Sequence, residues 1–160
     1  MIKQVVVILC LTLVFSGCDD RRVFDQYKSL PNSWNRDSVV RYKVQGLDST
    51  AAYNLFINIR NTNQYQFSNL YLITDMSFPN GKVVKDTLEY EMAYPDGKWM
   101  GIGFTESKAS KLWYKKAVQF KEPGAYTFQI RQAMRRNGEK KGIENLKGIT
   151  EVGLRIEKMN

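Results

Sequence analysis

Apolar and polar residues alternate in short segments along most of this chain, and this period of two constrains the fold more than any other feature. The clearest segment covers residues 53–60. Its two alternating sets are Tyr53, Leu55, Ile57, Ile59 and Asn54, Phe56, Asn58, Arg60. Successive side chains of a β-strand point to opposite faces, so this alternation predicts a strand with one buried face. The sequence contains no amphipathic helical pattern longer than two turns.

Seven further segments predict strands, and turn sequences separate most of them. They cover residues 38–44, 70–76, 83–90, 99–104, 112–120, 126–131 and 151–157. Residues 79–81 (PNG) predict a tight turn, so 70–76 and 83–90 are expected to pair as a hairpin. The glycines of 99–104 predict a bent strand, and residues 105–111 are expected to hold one helical turn. About eight short strands predict an all-β fold, a single jelly-roll-like β-sandwich, with a small closed β-barrel as the alternative.

The first 18 residues have the layout of a bacterial lipoprotein signal. A short polar start is followed by an apolar run over residues 5–15, two small residues at 16–17 and then Cys18. Residues 1–17 are therefore expected to be removed, and Cys18 is expected to carry the lipid. A membrane-spanning anchor needs about 20 apolar residues, which is more than this run provides. A disulfide to Cys10, the other cysteine, would be lost with the signal.

The remaining chain is long enough for one domain with its own core. Residues 18–33 show no sustained period and predict a lipid-anchored spacer, in which one short edge strand is the only regular structure considered. The β-sandwich domain is expected over residues 34–160. Since no second cysteine remains after processing, packing rather than disulfides must stabilise it.

The residue types present argue against an enzyme. The chain has no histidine, which is the commonest general base and a common metal ligand. Phosphate-binding glycine loops, nucleophile elbows, Cys-x-x-Cys pairs and calcium loops are missing from the sequence as well. We therefore expect no catalytic residue, metal, cofactor or small-molecule substrate. A glycoside hydrolase that uses paired carboxylates stays open as a distant alternative.

The chain is basic, with a formal charge of +8 that becomes +7 when Lys3 leaves with the signal. Such a charge suits an anionic membrane surface, a polyanionic glycan or an acidic protein, whereas nucleic acid is not expected as a partner of an exported lipoprotein. Part of the charge is concentrated at Arg131, Arg135, Arg136, Lys140 and Lys141. This patch is either a solvated surface or a docking site for an acidic partner or for lipid phosphates.

The chain is rich in aromatic residues, with three tryptophans, nine tyrosines and eight phenylalanines. Most of them are expected to fill the core. Tyr53, Tyr126 and Phe128 lie on alternating apolar faces and predict buried positions. Trp99 and Trp113 flank a glycine-rich and polar stretch, so they are the candidates for exposed aromatic side chains. Exposed aromatics bind sugar rings or partner proteins.

Five sequence stretches resemble a known family. They are residues 53–62 (YNLFINIRNT), 65–72 (YQFSNLYL), 78–81 (FPNG), 94–99 (YPDGKW) and 142–146 (GIENL). Together with Cys18 they are similar to the gliding motility lipoprotein GldH family. The resemblance implies a noncatalytic, lipid-anchored protein of the bacterial cell envelope that supports gliding by binding other envelope proteins of the machinery. A carbohydrate-binding surface lipoprotein is the alternative.

Overall fold

The computed structural model describes residues 20–159, and within that range the regular structure is entirely β-strand. The ten strands are β1 (Arg22–Ser29), β2 (Ser33–Asn35), β3 (Val40–Val44), β4 (Tyr53–Asn61), β5 (Asn69–Ser77), β6 (Val83–Glu91), β7 (Lys108–Val118), β8 (Tyr126–Gln132), β9 (Asn145–Lys147) and β10 (Ile149–Lys158). The all-β prediction is confirmed. In this part of the chain, no helix has the length and apolar character needed to cross a membrane.

Eight of the strands form two four-stranded antiparallel sheets. The first sheet has the order β1-β10-β4-β7 and the second has the order β3-β8-β5-β6, while β2 and β9 pair separately. Among these strands, only β5 and β6 are joined by a hairpin within one sheet, and the other connections pass between the two sheets, either directly or through the β2–β9 pair. This is the order of a jelly roll. The sandwich prediction is therefore confirmed, and the closed-barrel alternative is wrong because both sheets keep open edges.

The predicted alternation places the core between the two sheets. Leu55, Ile57 and Ile59 of β4 are fully buried, and they belong to the same hydrophobic core as Phe128 and Ile130 of β8. Each such side chain contributes about 1.5–3 kcal/mol when it leaves water. The predicted hairpin of β5 and β6 is also present, with its turn at residues 78–82.

The sandwich begins earlier in the chain than the sequence predicts. Residues 18–33 were expected to be a spacer that contributes one short edge strand, and Arg22–Ser29 forms an eight-residue strand at the edge of the first sheet, which makes most of this segment part of the sandwich. Phe24 of β1 turns inward and contacts Tyr42 edge-on, with ring centroids 6.1 Å apart. The segment has weak periodicity because none of its residues is fully buried and only Phe24 and Asp25 are partly covered, so pairing with β10 decides its structure.

Two local predictions in the region of residues 99–111 are wrong. Residues 99–104 form no strand and make only isolated bridges, from Trp99 to Ala93 and from Ile102 to Ala109. The expected helical turn at 105–111 is absent because β7 already begins at Lys108 and pairs with β4. Hydrogen bonding to a neighbouring strand overrides the local preference of this polar segment.

The strand directions divide the loops between two ends of the sandwich. The near end contains Arg21 together with the loops 45–52, 78–82 and 119–125. The far end contains the loops 30–39, 62–68, 92–107 and 133–148, with the short β2–β9 pair. Strands of nine residues such as β4 separate the two ends by about 30 Å.

Candidate interaction surfaces

Arg131, the first residue of the predicted basic patch, lies on the outer face of the second sheet. Its guanidinium is 3.1 Å from a carboxylate oxygen of Asp75 on the neighbouring strand β5, and Lys85 of β6 is 3.7 Å from the other oxygen of Asp75. Arg131 faces Ile73 in the register of β8 against β5, which brings it next to Asp75. The charge of Arg131 is therefore compensated within the sheet.

The other four residues of the patch form a separate group, which we call the far-end basic loop. It consists of Arg135, Arg136, Lys140 and Lys141. A bridge between Arg135 and Gly142 closes the loop, and the amide of Glu139 donates to the carbonyl of Arg136 at 3.1 Å. All four cations are exposed, and within residues 20–159 none of them forms a salt bridge. Their positive charge is therefore directed at solvent from the far end.

Trp113 lies on the outer face of the first sheet and is 47% exposed. Its ring stacks on Phe56, with centroids 4.3 Å apart, and the ammonium of Lys116 lies 4.5 Å from the centre of the indole. Lys111 is 4.1 Å from the centre of the Phe56 ring. Because cations are attracted to aromatic faces, these four side chains form one outer-face cluster.

Phe56 is one of three members of this cluster, with Lys111 and Lys116, that the residue pattern does not single out. It falls in the polar phase of β4, yet it is only 4% exposed because Trp113 and Lys111 cover it. The sequence does contain a signal for this contact, because Phe56 is an aromatic residue among the polar residues of the outer face, and such a residue usually packs against a side chain of a neighbouring strand. The partner itself depends on the register of β4 against β7, which pairs Phe56 with Trp113.

A network of charges borders the outer-face cluster. Arg155 contacts Asp25 at 2.9 Å and Glu157 at 2.6 Å, and Lys111 also contacts Glu157 at 2.6 Å. Burial raises the pKa of Glu157, but the hydrogen bonds from Lys111 and Arg155 outweigh it and hold that pKa below its usual range. A depression of about 230 Å³ beside Tyr27 lies next to this network. The charges of Asp25, Lys111, Arg155 and Glu157 therefore compensate one another.

Trp99, the second predicted exposed aromatic, is half-buried at the far end. Its indole N–H donates to the side-chain oxygen of Asn63 at 3.1 Å, and its ring lies 6.0 Å from that of Tyr65. Trp99 therefore holds the loop 92–107 against the loop 62–68. Three apolar side chains of the same loop are more exposed than Trp99, and the alternation pattern does not reveal them: Tyr94, Ile102 and Phe104.

Comparison with known proteins identifies the family. The profile of a family described as GldH lipoprotein matches residues 22–156. The gliding motility lipoprotein GldH homolog of Christiangramia forsetii is 53% identical over 155 residues, which cover 97% of this chain and 95% of that protein. The gliding motility lipoprotein GldH of Flavobacterium johnsoniae is 50% identical over 156 residues, covering 98% and 97%. This chain belongs to the GldH lipoprotein family.

Membership in the GldH family confirms the resemblance found in the sequence. It makes the chain a lipoprotein of the cell envelope that is held to a membrane by its lipid. The family match begins at Arg22, the first residue of β1, and ends within β10, so it spans the sandwich including the edge strand that the sequence placed in a spacer.

The predicted lipid-attachment residue of this GldH-family chain, Cys18, lies outside the described residues, as does the predicted signal at 1–17. The first fixed point after it is Arg21, whose carbonyl accepts a hydrogen bond of 2.7 Å from the amide of Lys158. Only two residues separate Cys18 from Arg21 in the sequence. Lipid attached at Cys18 would therefore hold the near end of the sandwich close to the membrane.

Within residues 20–159 of this GldH-family chain, no three acidic or cysteine side chains converge in a way that would hold a metal ion. Asp96, which follows Pro95 in a turn, accepts a hydrogen bond of 3.0 Å from the amide of Lys98, so its side chain serves the backbone. The exposed groups best suited to recognition are the far-end basic loop and the outer-face cluster.

Proposed function

We propose that this protein is a noncatalytic, lipid-anchored component of the gliding motility machinery and that it acts by binding another envelope protein through its far-end basic loop. One observation carries the proposal. Arg135, Arg136, Lys140 and Lys141 are exposed without salt bridges in the described part of the chain, at the end of the sandwich opposite Arg21. The relatives from both organisms are described as gliding motility lipoproteins, which supports a role of this protein in the gliding machinery.

The position of the loop selects the kind of partner. With the near end tethered, the loop stands about 30 Å from the membrane that holds the lipid. Electrostatic attraction between exposed charges is screened within about 8 Å at physiological ionic strength, so the head groups of that membrane are out of reach. An acidic protein surface remains as the partner that complements four uncompensated cations.

A noncatalytic role is consistent with the side chains available. The chain has no histidine, and in the range 20–159 no group of three potential metal ligands is present. Burial raises the pKa of Tyr65 and of Tyr90 above the ordinary value. These phenols therefore stay protonated and serve packing and hydrogen bonding.

The test compares two matched double variants in a gliding strain. Arg135→Gln with Arg136→Gln removes two cations from the far-end basic loop, and Lys28→Gln with Arg41→Gln removes two exposed cations from the strands β1 and β3. We expect the loop variant to reduce recovery of crosslinked protein partners and colony spreading several-fold, while the strand variant keeps both near wild type. Lys140→Gln with Lys141→Gln serves as a second loop variant.

All three variants must be lipidated and reach wild-type abundance for the comparison to count, and exposed substitutions of this kind usually change stability by less than about 0.5 kcal/mol each. Equal partner recovery and spreading in wild type and in both loop variants would contradict the proposal. Partner recovery that is weakened by raised salt for wild type but not for the loop variants would support it further.

Carbohydrate binding is the second candidate, because Trp113 presents a half-exposed indole on the outer face of the first sheet. One side of this ring is covered by Phe56 and Lys116 lies near it, which leaves less of the ring for a sugar than a free platform would. Retention on polysaccharide columns that is lost in Trp113→Ala and kept in Trp99→Ala would favour this function.

A further inference from the structure

The near end of the sandwich lies within a short reach of the predicted lipid. The chain from Cys18 to Arg21 spans three residue steps, and an extended chain advances at most about 3.6 Å per residue, so the two Cα atoms are within about 11 Å. The hydrogen bond from Lys158 to the Arg21 carbonyl fixes the end of this tether to the first sheet. Whatever the near end exposes is therefore held beside the lipid surface.

Four cations cover this end. Arg21 precedes β1, Lys43 is the second-last residue of β3, Lys82 lies in the β5–β6 turn and Lys121 lies in the loop before β8. They come from four separate segments that belong to both sheets, so they are spread over the whole end. All four are exposed, and among residues 20–159 none of them forms a salt bridge.

Acidic side chains of the same end, chiefly Glu122 and Asp20, offset part of this charge but not all of it. Asp48 is occupied by Lys158, whose ammonium is 3.3 Å from it. Glu122 is half-buried and accepts a hydrogen bond of 2.6 Å from Asn80. Asp20 is exposed next to the tether. The surface therefore keeps a net positive charge in the direction of the membrane.

Apolar groups accompany the cations at the β5–β6 turn. Val83 is 53% exposed, and the Lys82 ammonium lies 5.3 Å from the centre of the Phe78 ring beside it. Across the end, Leu47 and Pro123 border an open depression of about 420 Å³. Apolar side chains that are flanked by lysines suit the boundary between head groups and acyl chains.

We propose that the near end binds anionic phospholipid head groups of the membrane that holds the lipid, with Arg21, Lys43, Lys82 and Lys121 contacting the phosphates and Val83 contacting the interface. The orientation rests on the lipid attachment at Cys18 that the proposed function includes. The covalent attachment and the electrostatic contact together then orient the sandwich with its strands pointing away from the membrane. In this orientation the far-end basic loop lies about 30 Å from the membrane surface.

The test uses the chain from residue 18 onward with Cys18→Ser, which contains every described strand and binds no vesicle through a lipid. Binding is measured by cosedimentation with vesicles of phosphatidylcholine alone and with phosphatidylcholine containing one third phosphatidylglycerol. The near-end variant carries Arg21→Gln, Lys43→Gln, Lys82→Gln and Lys121→Gln. The matched control carries Arg135→Gln, Arg136→Gln, Lys140→Gln and Lys141→Gln, which removes the same charge from the far end.

We expect wild type to bind the phosphatidylglycerol vesicles and not the neutral ones. The near-end variant should lose at least about tenfold in affinity, because each cation near an anionic surface adds measurably to binding. The far-end control should lose less than about threefold. Equal losses in both variants would show attraction by net charge alone and would overturn the proposal, as would a larger loss in the far-end control or no binding by wild type.

The outcome is separable from that of the proposed function. Vesicle binding is measured on protein that carries no attached lipid and in the absence of a protein partner. Its result therefore does not depend on Cys18 acylation or on the recovery of crosslinked partners. Circular dichroism of both fourfold variants must match wild type, and a variant that fails this check is replaced by its two double variants.

Discussion

The hydroxyl of Tyr42 in the second sheet donates a hydrogen bond of 2.5 Å to the carbonyl of Val152 in the first sheet. Both residues are buried, so this bond joins the two layers inside the core. Burial raises the pKa of Tyr42 above its ordinary value, which keeps the hydroxyl protonated and able to donate. The two sheets of the jelly roll are thus held by a directional bond as well as by apolar packing.

Replacing Tyr42 with Phe should lower the free energy of unfolding by about 1–2 kcal/mol, because a buried carbonyl loses a partner while the ring is kept. Urea unfolding followed by circular dichroism measures the change. Tyr94→Phe is the control, since Tyr94 is exposed at the far end and its substitution should change stability little. Equal midpoints for wild type and Tyr42→Phe would refute the importance of the bond.

Alanine at Gly148 should destabilise the fold strongly, whereas alanine at Gly138 should lower its stability only modestly. Both glycines have a positive φ, +85° for Gly148 and +80° for Gly138, so alanine is strained at either position by about 1 kcal/mol. A Cβ on Gly148 would also overlap the backbone of Tyr65, whereas a Cβ on Gly138 would meet nothing. Thermal melts should therefore show Gly148→Ala as clearly less stable than Gly138→Ala, and similar melts would contradict the close contact.

Asp48 should make the stability of the domain depend on acid pH. Hydrogen bonds from the hydroxyl and the amide of Thr50, followed by the contact with Lys158, lower the pKa of Asp48 to about 2. The folded state therefore favours the ionised carboxylate. This contribution is complete above the unfolded pKa near 3.8 and is lost as the pH falls towards about 2.

The corresponding measurement compares wild type with Asp48→Asn by urea unfolding from pH 6 to pH 2. The advantage of wild type should be constant at the upper end of this range and should shrink below about pH 4. An advantage that stays constant down to pH 2 would show that the ionised state of Asp48 contributes nothing.

Cys18 should be the acylated residue. Metabolic labelling with a fatty-acid probe should mark the wild-type protein and leave Cys18→Ser unmarked, because the thiol of Cys18 is expected to carry the lipid. Cys10→Ser is the matched control and should label like wild type, since Cys10 lies in the segment expected to be removed. Label on Cys18→Ser, or none on wild type, would count against this assignment.

The sequence determined the elements whose signals are local. The alternation in residues 53–60 and 126–131 predicted β4 and β8, and the turn at residues 79–81 predicted the β5–β6 hairpin, because one-sided burial and turn geometry leave a direct trace in residue order. The number of such segments and the lack of helical periodicity were enough for the jelly-roll prediction. The lipoprotein character was visible in the layout around Cys18.

The tertiary structure decided everything that depends on which strands become neighbours. β1 exists because β10 pairs with it, Arg131 is compensated because the register of β8 brings it to Asp75, and Phe56 is buried because β4 lies beside β7. These contacts join residues that are far apart in the chain, and cross-strand register is set by the packing of the whole sandwich rather than by any segment. For the same reason the sequence located a basic patch at residues 131–141, but only the folded chain places the far-end basic loop and the cations of the near end at opposite ends of the sandwich.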